Sequence, residues 1–271
     1  MKIASFNVNS IKVRSPHVQD WLTAHSPDVL MLQELKAVTE NFPKDDFTAL
    51  GYDAIVNGQK TYNGVAILYK NTLNARLIAD RLPAMADNED TDEQARFLDV
   101  KIGDIHMIDI YLPNGNPVDT EKFDYKLRWM DRLYAYLKDY SDRRIPFIIG
   151  GDFNVIPDDI DCHDPAAWAN DALFRMETRK AYRRLLGLGL CEAYRSLHPT
   201  VQAFTFWDYQ AGAWPQDKGI RIDHFLLSPA LADVLKDCAI DKEPRSKEKA
   251  SDHTPIWVTI DEKALRPCWA A

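Results

Sequence analysis

Cysteine and long apolar runs are both scarce in this sequence. The 271 residues include only four cysteines, Cys162, Cys191, Cys238 and Cys268, with none of the close Cys/Cys or Cys/His spacings that bind zinc. No segment approaches the roughly 18 consecutive apolar residues that a membrane helix needs, and no long apolar stretch with a cleavage site follows Met1. We therefore expect a soluble, cytoplasmic protein with reduced thiols and no membrane partner.

An excess of positive charge is also absent. The formal net charge is -8 and the isoelectric point is about 5.4. Proteins that coat DNA neutralise its phosphates with clustered Lys and Arg, so any contact with DNA must use a local face of this molecule. The same acidity is compatible with carboxylates gathered at one place, where they could bind a hard cation that then approaches a phosphodiester.

The apolar pattern predicts a mixed α/β protein without repeats. No Pro/Gly/Ser-rich linker divides the chain, so we predict one domain over residues 1–262 and a short tail over 263–271. The acidic run 87–93 and the charged segment 241–249 are predicted loops. Strands are predicted at 2–8, 28–34, 52–56, 64–69, 73–79, 96–102, 105–111, 145–150, 220–227 and 254–260, and helices at 16–24 after an N-cap at Ser15, at 120–140 and at 175–186.

Six short polar clusters lie beside these apolar runs. Alone, a glutamate after a strand or an Asp-x-Asn turn is more often a solvated strand end or an Asx turn than a functional site. The joint occurrence of six clusters in one chain is far less ordinary. The clusters are Phe6-Asn7, Gln33-Glu34, Tyr111-Leu112-Pro113-Asn114-Gly115, Gly151-Asp152-Phe153-Asn154, Arg221-Ile222-Asp223-His224 and Ser251-Asp252-His253.

In this order, the clusters resemble the signature of the endonuclease/exonuclease/phosphatase superfamily. Within it, segments 111–115, 204–209 and 219–228 resemble exonuclease III and its apurinic/apyrimidinic endonuclease relatives. The resemblance covers about residues 1–260. It implies a four-layer α/β sandwich, in which two mixed β-sheets pack face to face between helices and the motif loops meet at one edge.

The resemblance also implies a Mg²⁺ site, at which Mn²⁺ could substitute. Glu34 matches the principal ligand, and Asn7 lies beside it as a ligand or a support. Asp252 could hold a metal-bound water or a second ion, so one-metal and two-metal versions both stay open. The full set of candidate ligands is Asn7, Glu34, Asp152, Asn154, Asp252 and His253.

Five residues match catalytic positions of the family. Asp152 would activate or position the attacking water, and Asn154 would orient that aspartate or the scissile phosphate. His253 would contact a nonbridging phosphate oxygen, with Asp223 accepting its other ring proton. Tyr111 could donate a hydrogen bond to the phosphate or help protonate the leaving oxygen. Without the other motifs, a buried histidine satisfied by a carboxylate would be the default reading of His253 and Asp223.

Four further residues are predicted to bind substrate. Asn114 matches a residue that contacts the phosphate, where the exonuclease III pattern commonly carries Gln and eukaryotic-type relatives carry Asn. The resemblance therefore points to abasic-site cleavage before strong exonuclease activity. Arg96 and Lys126 are candidate contacts to backbone phosphates. Trp207 resembles an aromatic residue that packs against an abasic sugar or wedges into the strand, although core packing is the default for a lone tryptophan.

Together these features predict a Mg²⁺-dependent DNA repair phosphodiesterase. It would cleave 5′ to abasic sites and remove nucleotides or blocking groups from the 3′ ends of double-stranded DNA, without an obligate protein partner. Two alternatives stay open. One is another enzyme of the superfamily, acting on phosphoinositides, sphingomyelin or nucleotides. The other is a noncatalytic platform, for which we would expect an essential polar residue to be missing, and none of the main set is missing.

Overall fold

The computed structural model of the protein describes residues 1–84 and 92–265. Most of the predicted acidic loop 87–93 and most of the tail 263–271, including Cys268, lie outside these residues. The β-strands are Lys2–Asn7 (β1), Val29–Gln33 (β2), Tyr52–Asn57 (β3), Val65–Lys70 (β4), Ala75–Ala79 (β5), Phe97–Ile102 (β6), Ile105–Tyr111 (β7), Phe147–Asp152 (β8), Cys191–Glu192 (β9), Asp223–Leu227 (β10), Leu235–Ile240 (β11) and Ile256–Ile260 (β12). The α-helices are Ile11–His25 (α1), Lys44–Thr48 (α2), Glu121–Asp142 (α3), Pro165–Trp168 (α4), Met176–Leu186 (α5), Ala193–Leu197 (α6) and Pro229–Ala232 (α7).

The strands form two mixed six-stranded sheets. Sheet A has the order β11-β12-β1-β2-β4-β3, and sheet B has the order β5-β6-β7-β8-β10-β9. The pairs β1–β2 and β7–β8 are parallel, and the other pairs are antiparallel. Strands that follow one another closely along the chain pair antiparallel in β3–β4, β5–β6 and β6–β7.

Apolar side chains form a core between the sheets and one on each outer face. The inner core joins Met31 and Ile67 of sheet A to Val100 and Met107 of sheet B. On the outer face of sheet B, residues of α3 and α5 pack against β7 and β8, and on the outer face of sheet A, residues of α1 and α2 pack against β1 and β2. The predicted four-layer α/β sandwich is confirmed.

Helix α1 differs from its predicted start. Ser15 is not an N-cap, since the helix begins at Ile11 and Pro16 lies inside it. The reason is tertiary, because the backbone N–H groups of Ser10 and Ile11 donate to the carbonyls of Glu34 and Leu35, which fixes the turn before the helix. The short elements β9, β11, α2, α4, α6 and α7 were not predicted. Within residues 1–84 and 92–265, no helix has the length and apolarity required to cross a membrane.

Candidate active site

The polar clusters meet at one edge of the sandwich because the strands that carry them end there. Parallel β1 and β2 bring Asn7 and Glu34 together in sheet A, and parallel β7 and β8 place Tyr111 opposite Asp152 in sheet B. Antiparallel β10 begins at Asp223, whose register partner is Asp152. Segment 251–253 joins this edge because it precedes β12, which runs antiparallel to β1.

Unusual backbone conformations direct some of these side chains towards the active-site edge of the sandwich. Glu34 and Asn154 have φ values of 52° and 47°, in the left-handed region that non-glycine residues seldom adopt. Gly151 has φ 136°, and a Cβ atom there would lie 2.0 Å from the carbonyl oxygen of Ile110. Only glycine can therefore occupy this position, which brings Asp152 close to the end of β7.

A carboxylate and histidine group forms the centre of the site. The Asn7 Nδ2 donates to Glu34 Oε1 and to Asp152 Oδ2, both at 2.9 Å. One ligand atom from each of Glu34, Asp152 and His253 lies within 4.8 Å of the others. Because the Asn7 Oδ1 already accepts from the Asn9 N–H at 3.0 Å, Asn7 is arranged as a support for the two carboxylates.

Asp223 holds the histidine of this group. Its Oδ2 lies 2.9 Å from His253 Nδ1, while His253 Nε2 points towards Asp152 Oδ2 at 3.7 Å. Among the described residues, Asp223 Oδ1 has no hydrogen-bond partner. We call Glu34, Asp152, Asp223 and His253 the reactive cluster.

The charges in the reactive cluster are not balanced by protein groups. Burial raises the pKa of Asp152 to about 7, with Asp223 and Glu34 adding to the rise and His253 opposing it. Burial would lower the pKa of His253, but Asp223 and Asp152 raise it to about 10. Burial would likewise raise the pKa of Glu34, but the Asn7 hydrogen bond and the charges of Lys36 and His253 hold it below its usual value. An added cation would relieve the repulsion between these carboxylates.

The donor atoms fit a hard divalent cation. Glu34 and Asp152 present carboxylate oxygens, the ligand type that Mg²⁺ prefers, and leave room for the waters that the ion retains. Asp252 lies further out, where its Oδ1 accepts from Asn9 Nδ2 at 3.0 Å. Lys36 forms a 3.1 Å ion pair with Glu34 Oε2, a partner that the sequence analysis missed although it lies two residues away.

Tyr111 and Arg96 border the reactive cluster. Burial raises the pKa of Tyr111 well above its usual value, and the charges of Glu34 and Asp152 raise it further, so its phenol stays a proton donor. The Arg96 guanidinium lies 4.7 Å from the Tyr111 ring centroid and donates to the Tyr111 carbonyl at 3.1 Å. Arg96 thus lies at the surface beside the site, where it was predicted.

A recess with apolar walls opens onto the reactive cluster. The Phe206 ring lies edge-on to His253, with 5.0 Å between ring centroids. Asn116 ties two loops of the recess together by donating to both carboxylate oxygens of Asp171 at 3.1 Å. The sequence analysis missed these lining residues because separate loops supply them. They are Asn116, Trp168, Asp171, Leu173, Phe206, Asp208 and Ile222.

A basic groove adjoins the recess and shares Glu34, Tyr111, Asn114 and Asn116 with it. Lys36, Arg96 and Lys122 supply its positive charge, and Tyr62, 68% exposed, stands at its side. Because the protein is acidic overall, any contact with DNA would need a local basic surface, and this groove has that character. The remaining lining residues include Gln59, Asn63, Gln94 and Tyr125.

Asn114 and Asn154 lie together at the border between the recess and the groove. The Asn114 Nδ2 donates to Asn154 Oδ1 at 3.1 Å, and the Asn154 Nδ2 donates to the Leu112 carbonyl at 2.9 Å. Asn154 orients Asp152 through its backbone, since its N–H donates to Asp152 Oδ1 at 2.8 Å. Both asparagines therefore lie at the predicted place.

Lys126 corrects a prediction, because it cannot contact a DNA phosphate where it lies. Its side chain is fully buried, and its Nζ donates to the carbonyls of Asn114 at 3.0 Å and Asn154 at 2.6 Å. Burial lowers the pKa of Lys126 to about 7, against the opposing charges of Asp152 and Asp171. The lysine instead ties together the two loops that carry the asparagines.

Trp207 is a second correction. It is fully buried, its Nε1 donates to Asp217 Oδ1 at 3.0 Å, and it packs against Phe204 and Trp214. It therefore belongs to a small core and cannot wedge into a DNA strand. Segment 204–209 nevertheless supplies the recess with Phe206 and Asp208, one residue to either side of Trp207.

The fifth polar cluster of the sequence divides between the two faces of β10. Asp223 joins the reactive cluster, whereas His224 and Arg221 point towards Asp161 and Glu192. Arg221 Nε donates to Asp161 Oδ1 and Arg221 Nη1 donates to Glu192 Oε1, both at 2.8 Å. With Arg195, which also pairs with Asp161, these residues form what we call the closed cluster. Its members are Asp161, Glu192, Arg195, Arg221 and His224.

Comparisons with known proteins agree with this geometry. Residues 4–253 match the sequence model of the Endonuclease/Exonuclease/phosphatase family. Exodeoxyribonuclease III of Haemophilus influenzae is 34% identical in an alignment of 267 residues that covers 95% of this chain and 98% of that protein. An AP endonuclease structure from Archaeoglobus fulgidus superposes with a TM-score of 0.90 at 40% identity, covering 96% of this chain and 99% of the other. A 3′ phosphatase from Neisseria, bound to a product DNA hairpin, gives 0.90 at 37% identity with the same coverage.

Proposed function

Because the chain belongs to the endonuclease/exonuclease/phosphatase family, we propose that it is a Mg²⁺-dependent DNA repair phosphodiesterase of the exonuclease III type. It cleaves duplex DNA on the 5′ side of abasic sites and removes nucleotides or blocking groups from 3′ ends. One observation carries the proposal: Glu34, Asp152 and His253 line one recess, which has apolar side chains on part of its wall and adjoins a basic groove. The names of its relatives, AP endonuclease and 3′ phosphatase, support the two substrate types.

Glu34 and Asp152 are the residues that would hold Mg²⁺, with Asn7 fixing both carboxylates. Bound there, the ion would polarise a phosphate oxygen and stabilise the charge that develops on it. Mn²⁺ accepts the same oxygen ligands and could substitute. Asp252 and Asn154 lie close enough to the site to support bound waters or a second ion.

The other side chains transfer protons and stabilise the charge that develops on the phosphate. Asp152 accepts a proton from the water whose oxygen attacks the phosphorus atom. His253, kept as an imidazolium by Asp223, donates from Nε2 to a nonbridging phosphate oxygen. Tyr111 donates its phenol proton towards the phosphate or the leaving oxygen. The bond from phosphorus to the 3′ oxygen breaks, which leaves a 3′-OH and a 5′-deoxyribose phosphate.

The recess and the groove supply selectivity. The walls formed by Trp168, Leu173 and Phe206 suit a deoxyribose without its base, which can leave the helix at little stacking cost. Lys36 and Arg96 in the groove would bind backbone phosphates and so orient the strand.

We also propose one catalytic domain over residues 1–262, acting in the cytoplasm without an obligate protein partner. The pairing of β1 with β12, from opposite ends of this range, supports a single unit. The cysteines at 162, 191 and 238 are free thiols, which suits a reducing compartment.

A panel of labelled DNA substrates tests the function. The substrates are a duplex with one abasic analogue, an undamaged duplex, a duplex with a recessed 3′ end and one with a 3′-phosphate, each in Mg²⁺ and in EDTA. Incision at the analogue in Mg²⁺ alone is the expected result. Digestion only at ends would restrict the enzyme to exonuclease or 3′-phosphatase activity. Absence of cleavage on all four would contradict the proposal and turn attention to nucleotide and phospholipid substrates.

A further inference from the structure

A fully buried polar trio lies between the two sheets, directly beneath the active site. Ser5, Gln33 and Asp109 are each 0% exposed. They lie on the inner faces of β1, β2 and β7, because side chains alternate along a strand and their neighbours Ile3, Met31 and Met107 belong to the core between the sheets. Towards the active-site edge, the inner faces of these three strands therefore change from apolar to polar.

The trio bridges the gap between the sheets. The Gln33 Nε2 donates to Asp109 Oδ1 at 2.6 Å across the gap and lies 3.1 Å from Ser5 Oγ. In the part of the chain that the structure describes, one other side-chain pair hydrogen-bonds from a strand of sheet A to a strand of sheet B. That pair is Asn7 and Asp152, within the active site. The Gln33–Asp109 bond is thus the deeper of two side-chain to side-chain hydrogen bonds that connect the sheets at this edge, where Asn57 Nδ2 of β3 also donates to the backbone carbonyl of Phe97 in β6 at 3.4 Å.

Stability does not account for the trio. Asp109 Oδ2 has no hydrogen-bond partner among the described residues, and a buried polar atom without a partner destabilises the fold. Burial raises the pKa of Asp109 well above its usual value, against the hydrogen bond from Gln33. Well-packed apolar residues at such positions often give an equally or more stable protein.

We propose that the Gln33–Asp109 hydrogen bond is a positioning contact, which sets the distance between the catalytic groups of sheet A and those of sheet B. Gln33 immediately precedes Glu34, and Asp109 lies two residues before Tyr111 on the same face of β7. Ser5, two residues before Asn7, contacts the end of the Gln33 amide, with its Oγ 3.1 Å from Gln33 Nε2 and 3.4 Å from Gln33 Oε1. None of the three touches substrate, and their role rests on the proposed phosphodiesterase function. Catalytic groups must hold their geometry to about 0.5 Å.

Replacement of Asp109 by a residue of similar shape tests the proposal. Asp109→Leu removes the bond, whereas Asp109→Asn keeps an oxygen that can accept from Gln33. On the abasic duplex we expect the single-turnover rate of Asp109→Leu to fall roughly 10- to 100-fold, because small displacements of reacting groups have effects of this size. The dissociation constant for DNA should stay at its wild-type value, and Asp109→Asn should restore the rate.

Asp99 provides a matched control. It is also 0% exposed and lies on β6, the neighbour of β7, but it faces α3 and accepts hydrogen bonds from Tyr136 and Tyr140 at 2.6 Å. Asp99→Leu should lower the melting temperature at least as much as Asp109→Leu, while the folded protein keeps the wild-type rate. An equal loss of rate in both variants, or a wild-type rate in Asp109→Leu, would overturn the proposal.

A double variant and a crystal structure complete the test. If the two residues act through one bond, Gln33→Leu with Asp109→Leu should be no slower than either single variant, whereas multiplied losses would overturn a shared role. A wild-type protein that cleaves no DNA would overturn the proposed function instead. The crystal structure of Asp109→Leu then decides the positioning role: a changed distance between the Glu34 and Asp152 carboxylates supports it, and an unchanged distance overturns it.

Discussion

Strand β10 separates two buried charge clusters of opposite character. Its first two residues, Asp223 and His224, point to opposite faces of sheet B, so one faces the other sheet and its neighbour faces the helices. The reactive cluster contains three carboxylates and one histidine, and the closed cluster contains two carboxylates, two arginines and one histidine. Negative charge is only partly compensated on the active-site side, where Lys36 pairs with Glu34, and is balanced on the other side.

This difference in charge balance shifts the pKa values of the two buried histidines in opposite directions. Asp223 and Asp152 raise the pKa of His253 to about 10, against the effect of burial. Burial and the charge of Arg221 lower the pKa of His224 to about 3. His224 is therefore neutral, accepting from Arg221 Nη1 at 3.0 Å and donating to the Val155 carbonyl at 2.9 Å. A buried histidine beside acids thus serves structure where arginines neutralise the acids, and can serve chemistry where they do not.

The largest expected effect comes from opening the closed cluster. Arg221→Met leaves Asp161 and Glu192 partly uncompensated in the interior, so the free energy of unfolding should fall by about 3–5 kcal/mol. The folded protein should keep its single-turnover rate on the abasic duplex. Urea unfolding measures this loss. Arg183→Met is the control, because Arg183 is half exposed and paired with Asp158. Its replacement should change the free energy of unfolding by under about 0.5 kcal/mol. If Arg221→Met lost most of its rate without losing stability, the structural role that we assign to the closed cluster would be contradicted.

The next effect comes from the reactive cluster. His253→Asn removes the donor that we propose for the phosphate, and loss of one such donor should lower the single-turnover rate by about 10²- to 10³-fold. His106→Asn is the matched control, because His106 is also buried and lies 2.9 Å from an aspartate, Asp99, remote from the site. The control should lose stability and keep its rate. If both variants kept the rate, His253 would be only a buried histidine satisfied by a carboxylate.

The dependence of stability on pH should have opposite signs for the two histidines. The raised pKa of His253 contributes stability below about pH 6.5 that is lost as the pH rises towards 10. The lowered pKa of His224 contributes stability above about pH 6.5 that is lost as the pH falls towards 3. Each slope can reach about 1.4 kcal/mol per pH unit.

Urea unfolding in EDTA at several pH values measures both slopes. His253→Asn should remove the alkaline loss and His224→Asn the acidic loss, each relative to the wild-type curve. If both variants changed the pH dependence of stability on the same side of neutral pH, the opposite behaviour predicted for the two histidines would be contradicted.

The smallest expected effects on rate and DNA binding come from two lysines that lie one turn apart on α3. Lys126→Met frees the loops that carry Asn114 and Asn154, so the rate should fall roughly tenfold with little change in DNA affinity. Lys122 is exposed and lines the groove, so Lys122→Met should weaken binding and reduce the salt dependence of the binding constant by about one counterion. The rates and the salt titrations separate these two roles, and a salt effect in Lys126→Met would restore the phosphate contact predicted from sequence.

Residues at strand ends could be predicted because their signals are local. Each short apolar run ended in the polar residues that the parallel pairs β1–β2 and β7–β8 then brought to one edge. Glu34 and Asp152 were found in this way, with the help of the family resemblance, whereas His253, which precedes β12, and the two-sheet architecture were predicted from the resemblance.

Burial and long-range contacts could not be predicted from the same signals. Lys126 and Trp207 resemble surface contacts in sequence, and only the packing of α3 and of the small core around Trp214 shows that they are buried. The recess was missed because Trp168 at the end of α4, Leu173 in the segment after it and Phe206 in a loop before β10 share no periodicity. The start of α1 depends on hydrogen bonds to residues that follow β2.

The most direct test of the account is the single-turnover rate of Asp152→Asn on the abasic duplex in Mg²⁺, compared with the wild type and with Asp99→Asn. Loss of the group that accepts the proton from water should lower the rate by about 10²- to 10⁴-fold in a protein that still folds and binds DNA. Asp99→Asn should keep the wild-type rate. Cleavage by Asp152→Asn at the wild-type rate would contradict the assignment of this edge as the active site.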